Sequence, residues 1–395
     1  MKKFFAAAAL SLAALLLFAG CSAQITADIS SGWLTSPDNG YDPNFYESLD
    51  YSVDFVNSET DENLNIDIDS DNSAYNITTE AVGTMSFLMP DGSTATYTNV
   101  YHLTMAQTVS ATYTYERDNG ETLTYTFGEN EDADPDTFEP EDADTVTLEV
   151  WFTSLNSTAT GTDAVRPAFS PIRSIQTSRT HGATTSVAND SSSFISMYDY
   201  SIEILYDQTC QNATLTYTDN FADLTDEERA ANEYVRKEST RFPESREIGD
   251  LQKNYTCIDN AQLIFIIRGL AMNTDTSHTL TVVSGTANNY PAALSISCSE
   301  LINSHISFTM VDGEGVEHPY DEEEFPVARM TVSVANAGSY IGENTTITYA
   351  QRPTEKSNTY RCLPLRIETP YGLSVGNYEY ELLTASYQKP ASEQA

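Results

Sequence analysis

From Leu49 onward, apolar and polar residues alternate along most of the chain. Tyr51, Val53 and Phe55 share one face of an extended segment, and Leu64, Ile66 and Ile68 share another. Period-two alternation places every second side chain on the same side of a strand, so these runs predict strands with one buried face. Val109, Ala111, Tyr113 and Tyr115 repeat the pattern, and Leu123, Tyr125 and Phe127 follow after Asp118-Asn119-Gly120. Asn and Gly accept positive φ at low cost, so this junction predicts a tight hairpin. Val146 to Phe152, Tyr200 to Tyr206, Leu215 and Tyr217, and Leu280 and Val282 continue the alternation. So do Leu294 and Ile296, Ile306 to Met310, Met330 to Val334, Leu363 to Ile367, and Tyr378 to Leu382. Glu314-Gly315 and Tyr371-Gly372 mark turns.

Two segments break the period. Thr225-Asp226-Glu227-Glu228 is a capping box, and Ala231, Tyr234 and Val235 beyond it predict a helix to about Glu238. Asp259-Asn260-Ala261-Gln262 opens a second cap before Leu263-Ile264-Phe265-Ile266-Ile267-Arg268-Gly269. That apolar run reads either as a buried strand or as a short buried helix. The Asp cap, the Gln three positions on and the closing Gly favour the helix. Residues 153–195 are rich in Thr, Ser and Ala, with Pro167 and Pro171, and read as a linker or as irregular strands.

The expected fold is mainly β: one large curved antiparallel sheet, half-barrel-like, with one or two short helices. Long sheets of alternating strands twist and curl, and an apolar helix fills the concave face. The alternative is two β-sandwich domains divided near residues 153–195. The expected order is a signal peptide over residues 1–20, a tether over 21–45, a β-rich domain over 46–388 and a polar tail over 389–395.

The N-terminus carries the address. Met1-Lys2-Lys3 precedes an apolar run from Phe4 to Phe18 and then Ala19-Gly20-Cys21. A short basic segment, an apolar run and small residues make an export signal. Leu17-Phe18-Ala19-Gly20-Cys21 resembles the lipobox of bacterial lipoproteins, with Phe18 in place of the usual Leu. That resemblance implies lipidation of Cys21, cleavage before it and attachment to a membrane on its extracytoplasmic side. Acyl chains anchor through about 0.8 kcal/mol per buried CH₂. The mature region, from Val146 through Val165-Arg166-Pro167, Tyr198 to Tyr206, Leu263 to Leu270 and Tyr360-Arg361-Cys362-Leu363-Pro364-Leu365, resembles a group of uncharacterised bacterial envelope proteins. The likeness lies in landmark order, and it implies a curved antiparallel sheet related in shape to the half-barrels of lipoprotein carriers.

Charge narrows the partners. The chain carries 58 acidic against 19 basic residues, a formal charge of −39, and loss of Lys2 and Lys3 on processing deepens it by two. Such a field repels nucleic acid and anionic headgroups. Beyond Cys21, four cysteines remain: Cys210, Cys257, Cys298 and Cys362. An even number in an exported chain predicts two disulfides, and sequence proximity favours Cys210–Cys257 and Cys298–Cys362 among three pairings.

Candidate chemistry is sparse. There is no GxSxG and no HExxH among the five histidines, His102, His181, His278, His305 and His318, each of which reads as a surface or strand residue. With 58 acids, no carboxylate pair for glycoside hydrolysis stands out. Calcium is the best metal candidate: Asp67, Asp69 and Asp71 alternate as oxygen ligands often do, yet the EF-hand Gly and Glu positions are unfilled. Alternating Asp and Ile is equally the pattern of a half-buried strand. Nine acids crowd residues 129–144, a solvated loop or a docking surface for the basic cluster Arg229, Arg236, Lys237, Arg241 and Arg246. Trp33, Trp151 and the tyrosines suggest either cross-strand packing or a sugar-stacking platform. The functional expectation is a non-enzymatic, lipid-anchored envelope protein holding an apolar ligand or a protein partner. The alternatives are a surface adhesin or glycan-binding module and, third, a secreted hydrolase.

Overall fold

The computed structural model describes residues 41–58, 63–128, 138–183, 194–222, 245–252, 255–270, 277–283, 292–334, 345–351, 362–371 and 375–389, with the short stretches 29, 224–225, 230–231, 234–236 and 272–275. Its strands are β1 (Tyr46–Asn57), β2 (Leu64–Ile68), β3 (Ala74–Leu88), β4 (Thr94–Val109), β5 (Ala111–Glu116), β6 (Thr122–Phe127) and β7 (Asp144–Thr153). They continue as β8 (Ser157–Thr158), β9 (Val165–Arg166), β10 (Pro171–Ala183), β11 (Ile195–Tyr206), β12 (Ala213–Asp219), β13 (Ala230–Ala231), β14 (Tyr234–Arg236) and β15 (Ser245–Ile248). Beyond them come β16 (Cys257–Asp259), a five-residue helix α1 (Leu263–Ile267), β17 (Ser277–Val283), β18 (Ala292–Val311), β19 (Glu317–Val334), β20 (Thr345–Ala350), β21 (Pro364–Tyr371) and β22 (Gly376–Ser386).

One large, mostly antiparallel sheet dominates. Its hydrogen-bonded neighbours run β15, β12, β11, β10, β7, β4, β3, β1, β22, β21, β20, β19, β18, β17 and β16. The sheet is curved without closing into a barrel, as the alternation predicts. β10 pairs with β7 on one side and β11 on the other, so residues 171–183 are an interior strand where a linker was one expectation. The β5–β6 hairpin turns at Gly120, whose φ is +80°, and with β2 forms a second, three-stranded sheet. Gly315, also at φ +80°, turns the long β18–β19 hairpin.

Within residues 225–238, where a helix is expected, the described elements are extended. Ala230–Ala231 and Tyr234–Arg236 are short strands instead, and Tyr234 to Arg236 pair in parallel with Ile195 to Met197 of β11. A sheet edge offers these residues hydrogen bonds that local helix propensity does not outweigh, and Tyr234-Val235 suits an extended backbone. Tyr41 and Phe45, expected within the tether, are buried, and residues 21–28 and 30–40 of it lie outside the described residues. At the other end Lys389, placed in the polar tail, pairs with Glu80 at 2.7 Å.

The second helix forms where its cap signals put it. Asp259 accepts from the Ala261 backbone N–H at 3.0 Å, and the Gln262 side chain accepts from the Asp259 N–H at 2.9 Å. A 3₁₀ turn over Asn260–Gln262 leads into α1, whose Leu263, Phe265, Ile266 and Ile267 are buried. Gln262 donates to the Phe169 carbonyl at 3.0 Å, and Tyr349 of β20 donates to the Ile264 carbonyl at 2.8 Å. Arg268, just past the helix, makes a buried two-pronged ion pair with Glu47 of β1. The helix is thus tied to several parts of the sheet and fills part of its concavity. No helix among the described residues is long and apolar enough to cross a membrane.

Candidate functional site

Strand register explains how the concave face is built. Directly opposed residues of antiparallel neighbours point to the same side of a sheet. Tyr200 opposes Ser178, Ser178 opposes Val146, and Val146 opposes Gln107. Gln107 opposes Tyr75, while across the sheet Tyr378 opposes Thr369 and Tyr380 opposes Ile367. These residues, with Asn260, Leu263 and Ile264 of the capped helix, enclose a cavity of about 510 Å³. That lies within the roughly 300–1,000 Å³ of small-molecule sites.

The wall has two textures. Met105, Val109, Val146, Leu148, Ile347 and Ile367 supply aliphatic surface. Tyr75, Tyr198, Tyr200, Tyr371, Tyr378 and Tyr380 supply ring faces, with Tyr75 and Tyr380 centred 4.7 Å apart and Tyr378 stacked on Tyr380 at 6.0 Å. Burial pushes the Tyr371 phenol up to about 12. It also pushes Tyr75, Tyr378 and Tyr380 up, so these side chains stay neutral and act as hydrogen-bonding rings rather than as bases. The Tyr380 hydroxyl accepts from Gln107 at 3.1 Å.

At one end of the cavity Asp144 meets His181. One Asp144 oxygen accepts the His181 backbone N–H at 2.7 Å and lies 2.7 Å from its Nδ1. Burial holds the Asp144 carboxyl above its usual range, and the hydrogen bonds from His181 work against that shift. An acid–histidine pair invites comparison with catalytic dyads, but here the ring stacks on Phe127 at 4.2 Å and packs against Phe138 at 5.0 Å. Its Nε2 is buried with no hydrogen-bond partner, so no hydroxyl or thiol is placed for activation. The pair fastens the start of β7 to the end of β10.

At the helix end Asp259 is a buried hub. Its carboxylate accepts from Ser174 at 2.6 Å and Tyr206 at 2.7 Å while it caps the turn. Burial raises this carboxyl, and those three hydrogen bonds pull it partly back. Asn260 beside it is nine-tenths buried, and its Oδ1 has no partner. Leaving a buried polar group unsatisfied costs about 1–3 kcal/mol.

The residues singled out from sequence fare unevenly. Cys21, Trp33, residues 129–137, and Arg229, Lys237 and Arg241 of the basic cluster lie outside the described residues. Asp67 is exposed on β2 between buried Ile66 and half-buried Ile68, the alternating-strand pattern. Asp69 instead caps a 3₁₀ turn, accepting from the Asp71 N–H at 3.2 Å and from Asn72 at 3.0 Å. Asp67, Asp69 and Asp71 therefore do not converge as a calcium site, and no group of three metal-ligating side chains forms among the described residues. Cys210 and Cys257 lie together in one buried cluster with their thiols in hydrogen-bond contact. Cys298 donates to the Glu300 carbonyl at 3.3 Å, and Cys362 packs against the main apolar core. All four are thiols in this structure. Trp151 is buried, with His102 stacked on it at 4.4 Å and Arg173 over its ring at 5.5 Å, so it is cross-strand packing rather than an open platform. His181, expected to be a surface or strand residue, is a strand residue of β10, and a buried one that fastens β10 to β7.

No family model matches the chain, and comparison with curated proteins and with solved structures gave no match.

Proposed function

We propose that this chain is a lipid-anchored protein of the bacterial cell envelope that holds an apolar molecule in the concavity of its curved sheet and performs no chemistry on it. The observation that carries the reading is the cavity of about 510 Å³, walled by aliphatic side chains and neutral tyrosines and bounded by a capped, buried helix. Burying apolar surface there gains about 25 cal/mol per Å², and the tyrosine hydroxyls supply orientation. The anchor rests on Cys21 and the signal-like residues before it. Their agreement with the binding reading is one of logic: a carrier or receptor for an apolar molecule works at a membrane.

Two measurements test the two halves. Protein purified without detergent is extracted with organic solvent, and the extract is examined by mass spectrometry. A stoichiometric apolar compound supports the binding role, whereas an empty extract together with no uptake of fluorescent apolar probes removes it. Metabolic labelling with a clickable fatty acid tests the anchor. Label on the wild type and none on Cys21→Ala supports it; equal labelling, or an uncleaved chain in the cytosolic fraction, rejects it.

A further inference from the structure

We infer that the cavity selects uncharged ligands over anionic ones and seats the ligand's hydrogen-bonding head group between the side-chain amides of Gln176 and Asn260. This rests on the binding role proposed above and adds the chemical class of the ligand.

The first support is charge. Among the described residues, no lysine or arginine lines the cavity, and its one carboxyl group is Asp144. Among the described residues the buried arginines are engaged: Arg268 holds Glu47, Arg117 holds Glu121, and Arg166 donates to the carbonyls of Pro171 and Asp207. A fatty carboxylate or a phosphate placed in this space finds no lysine or arginine to pair with, and the His181 imidazole that also lines it is turned to Asp144 at 2.7 Å; a buried unpaired charge is strongly disfavoured.

The second support is an unmet demand for hydrogen bonds. Gln176 and Asn260 are both nine-tenths buried, and both border the cavity. They also border one small adjoining crevice, so the two residues lie near each other. Asn260 Oδ1 is buried with no hydrogen-bond partner, although its neighbours Asp259 and Gln262 are both engaged, and the Gln176 side chain borders the same space. Each carboxamide offers an acceptor and two donor hydrogens. Two of them fit a group that both donates and accepts, such as a hydroxyl or a primary amide.

Displacement of diphenylhexatriene, an uncharged fluorescent probe, tests this on the mature chain. The competitors are decan-1-ol, decanoate and decylammonium, matched in chain length. The expected result is that the alcohol displaces the probe at about one-tenth the concentration of either charged competitor. Gln176→Leu/Asn260→Leu is expected to raise the decan-1-ol concentration needed for displacement about tenfold while still binding the probe and still disfavouring decanoate. Gln176→Met and Asn260→Ala, measured singly, report the same direction should the double variant fold poorly. Equal displacement by decanoate, stronger displacement by decylammonium, or unchanged displacement by decan-1-ol in the variants overturns the inference and leaves the binding role standing. A wild-type protein that binds no probe at all overturns the binding role and this inference with it.

Discussion

Removing the Glu47 carboxylate is the sharpest test of how the helix is held in the sheet. The Glu47 and Arg268 side chains are only 2% and 1% exposed, and their contact is two-pronged, with Nη2 to Oε2 at 2.9 Å. Burial alone works against the Arg268 charge, but the Glu47 carboxylate outweighs it and holds the guanidinium above its ordinary range. Glu47→Ala therefore strands a buried cation. Breaking such a pair from one side costs about 3–5 kcal/mol. Domains are stable by only about 5–15 kcal/mol, so the loss is a large fraction of the total. With a urea m-value near the upper end of the usual 1–3 kcal/mol/M, the unfolding midpoint falls by about 1 M or more. Replacing both partners, Glu47→Leu with Arg268→Met, removes the stranded charge and recovers at least about 2 kcal/mol. Urea titration followed by far-ultraviolet circular dichroism reads both numbers, provided m stays constant. A Glu47→Ala midpoint within experimental error of the wild type, or a double variant weaker than the single one, refutes the reasoning.

Three further outcomes follow from the same geometry. Asp259 has its carboxyl raised by burial, so the folded state binds this proton more tightly than the unfolded chain; its stabilising contribution is full below the unfolded value near 4 and is lost as pH rises through the folded value. Asp259→Asn keeps a cap and is expected to flatten that part of the stability–pH curve, whereas an unchanged slope in calorimetric scans counts against a buried, raised carboxyl. Ile266→Ala in the buried helix face, where Ile266 is fully buried, is expected to cost about 2–5 kcal/mol by urea titration, and a loss under 1 kcal/mol contradicts the packing described here. Adding oxidised glutathione to unfolded protein as it refolds is expected to join Cys210 to Cys257, two thiols giving up two protons and two electrons to the oxidant; peptide mapping that finds either cysteine bridged to Cys298 or Cys362 instead refutes the proximity of the pair.

Much of the fold was legible because a half-buried strand writes a two-residue period into its sequence. Tyr51, Val53 and Phe55 on β1, and Tyr378, Tyr380 and Leu382 on β22, alternate in the sequence and oppose one another in the sheet. The second helix was legible from its cap alone, since Asp259 and Gln262 make the reciprocal bonds their spacing implies. The first helix was misread because Thr225 to Glu228 is a local signal, while the strands that formed depend on pairing with β11, some 40 residues earlier. β10 was obscure for a related reason: Ser174, Gln176 and Ser178 are polar residues on an interior face, so the inward side carries no hydrophobic period. Those same residues turned out to border the cavity or to hold Asp259. The site was hidden because it is assembled across β11, β10, β7, β4, β3, β22, β21 and β20 by register rather than by a local motif. Tyrosine abundance was visible, but which tyrosines share one wall was not.

Saturable uptake of an uncharged apolar fluorophore, compared between the wild type and Leu148→Trp, puts the concavity itself on trial. Leu148 lines the cavity from β7, half-buried, where an indole fits into the empty volume without entering the packed core. One bound fluorophore per chain in the wild type, at least tenfold weaker binding in Leu148→Trp and a thermal midpoint within a few degrees is the expected result. Identical binding by the two proteins, or uptake that never saturates, places the apolar molecule somewhere other than the tyrosine-walled space.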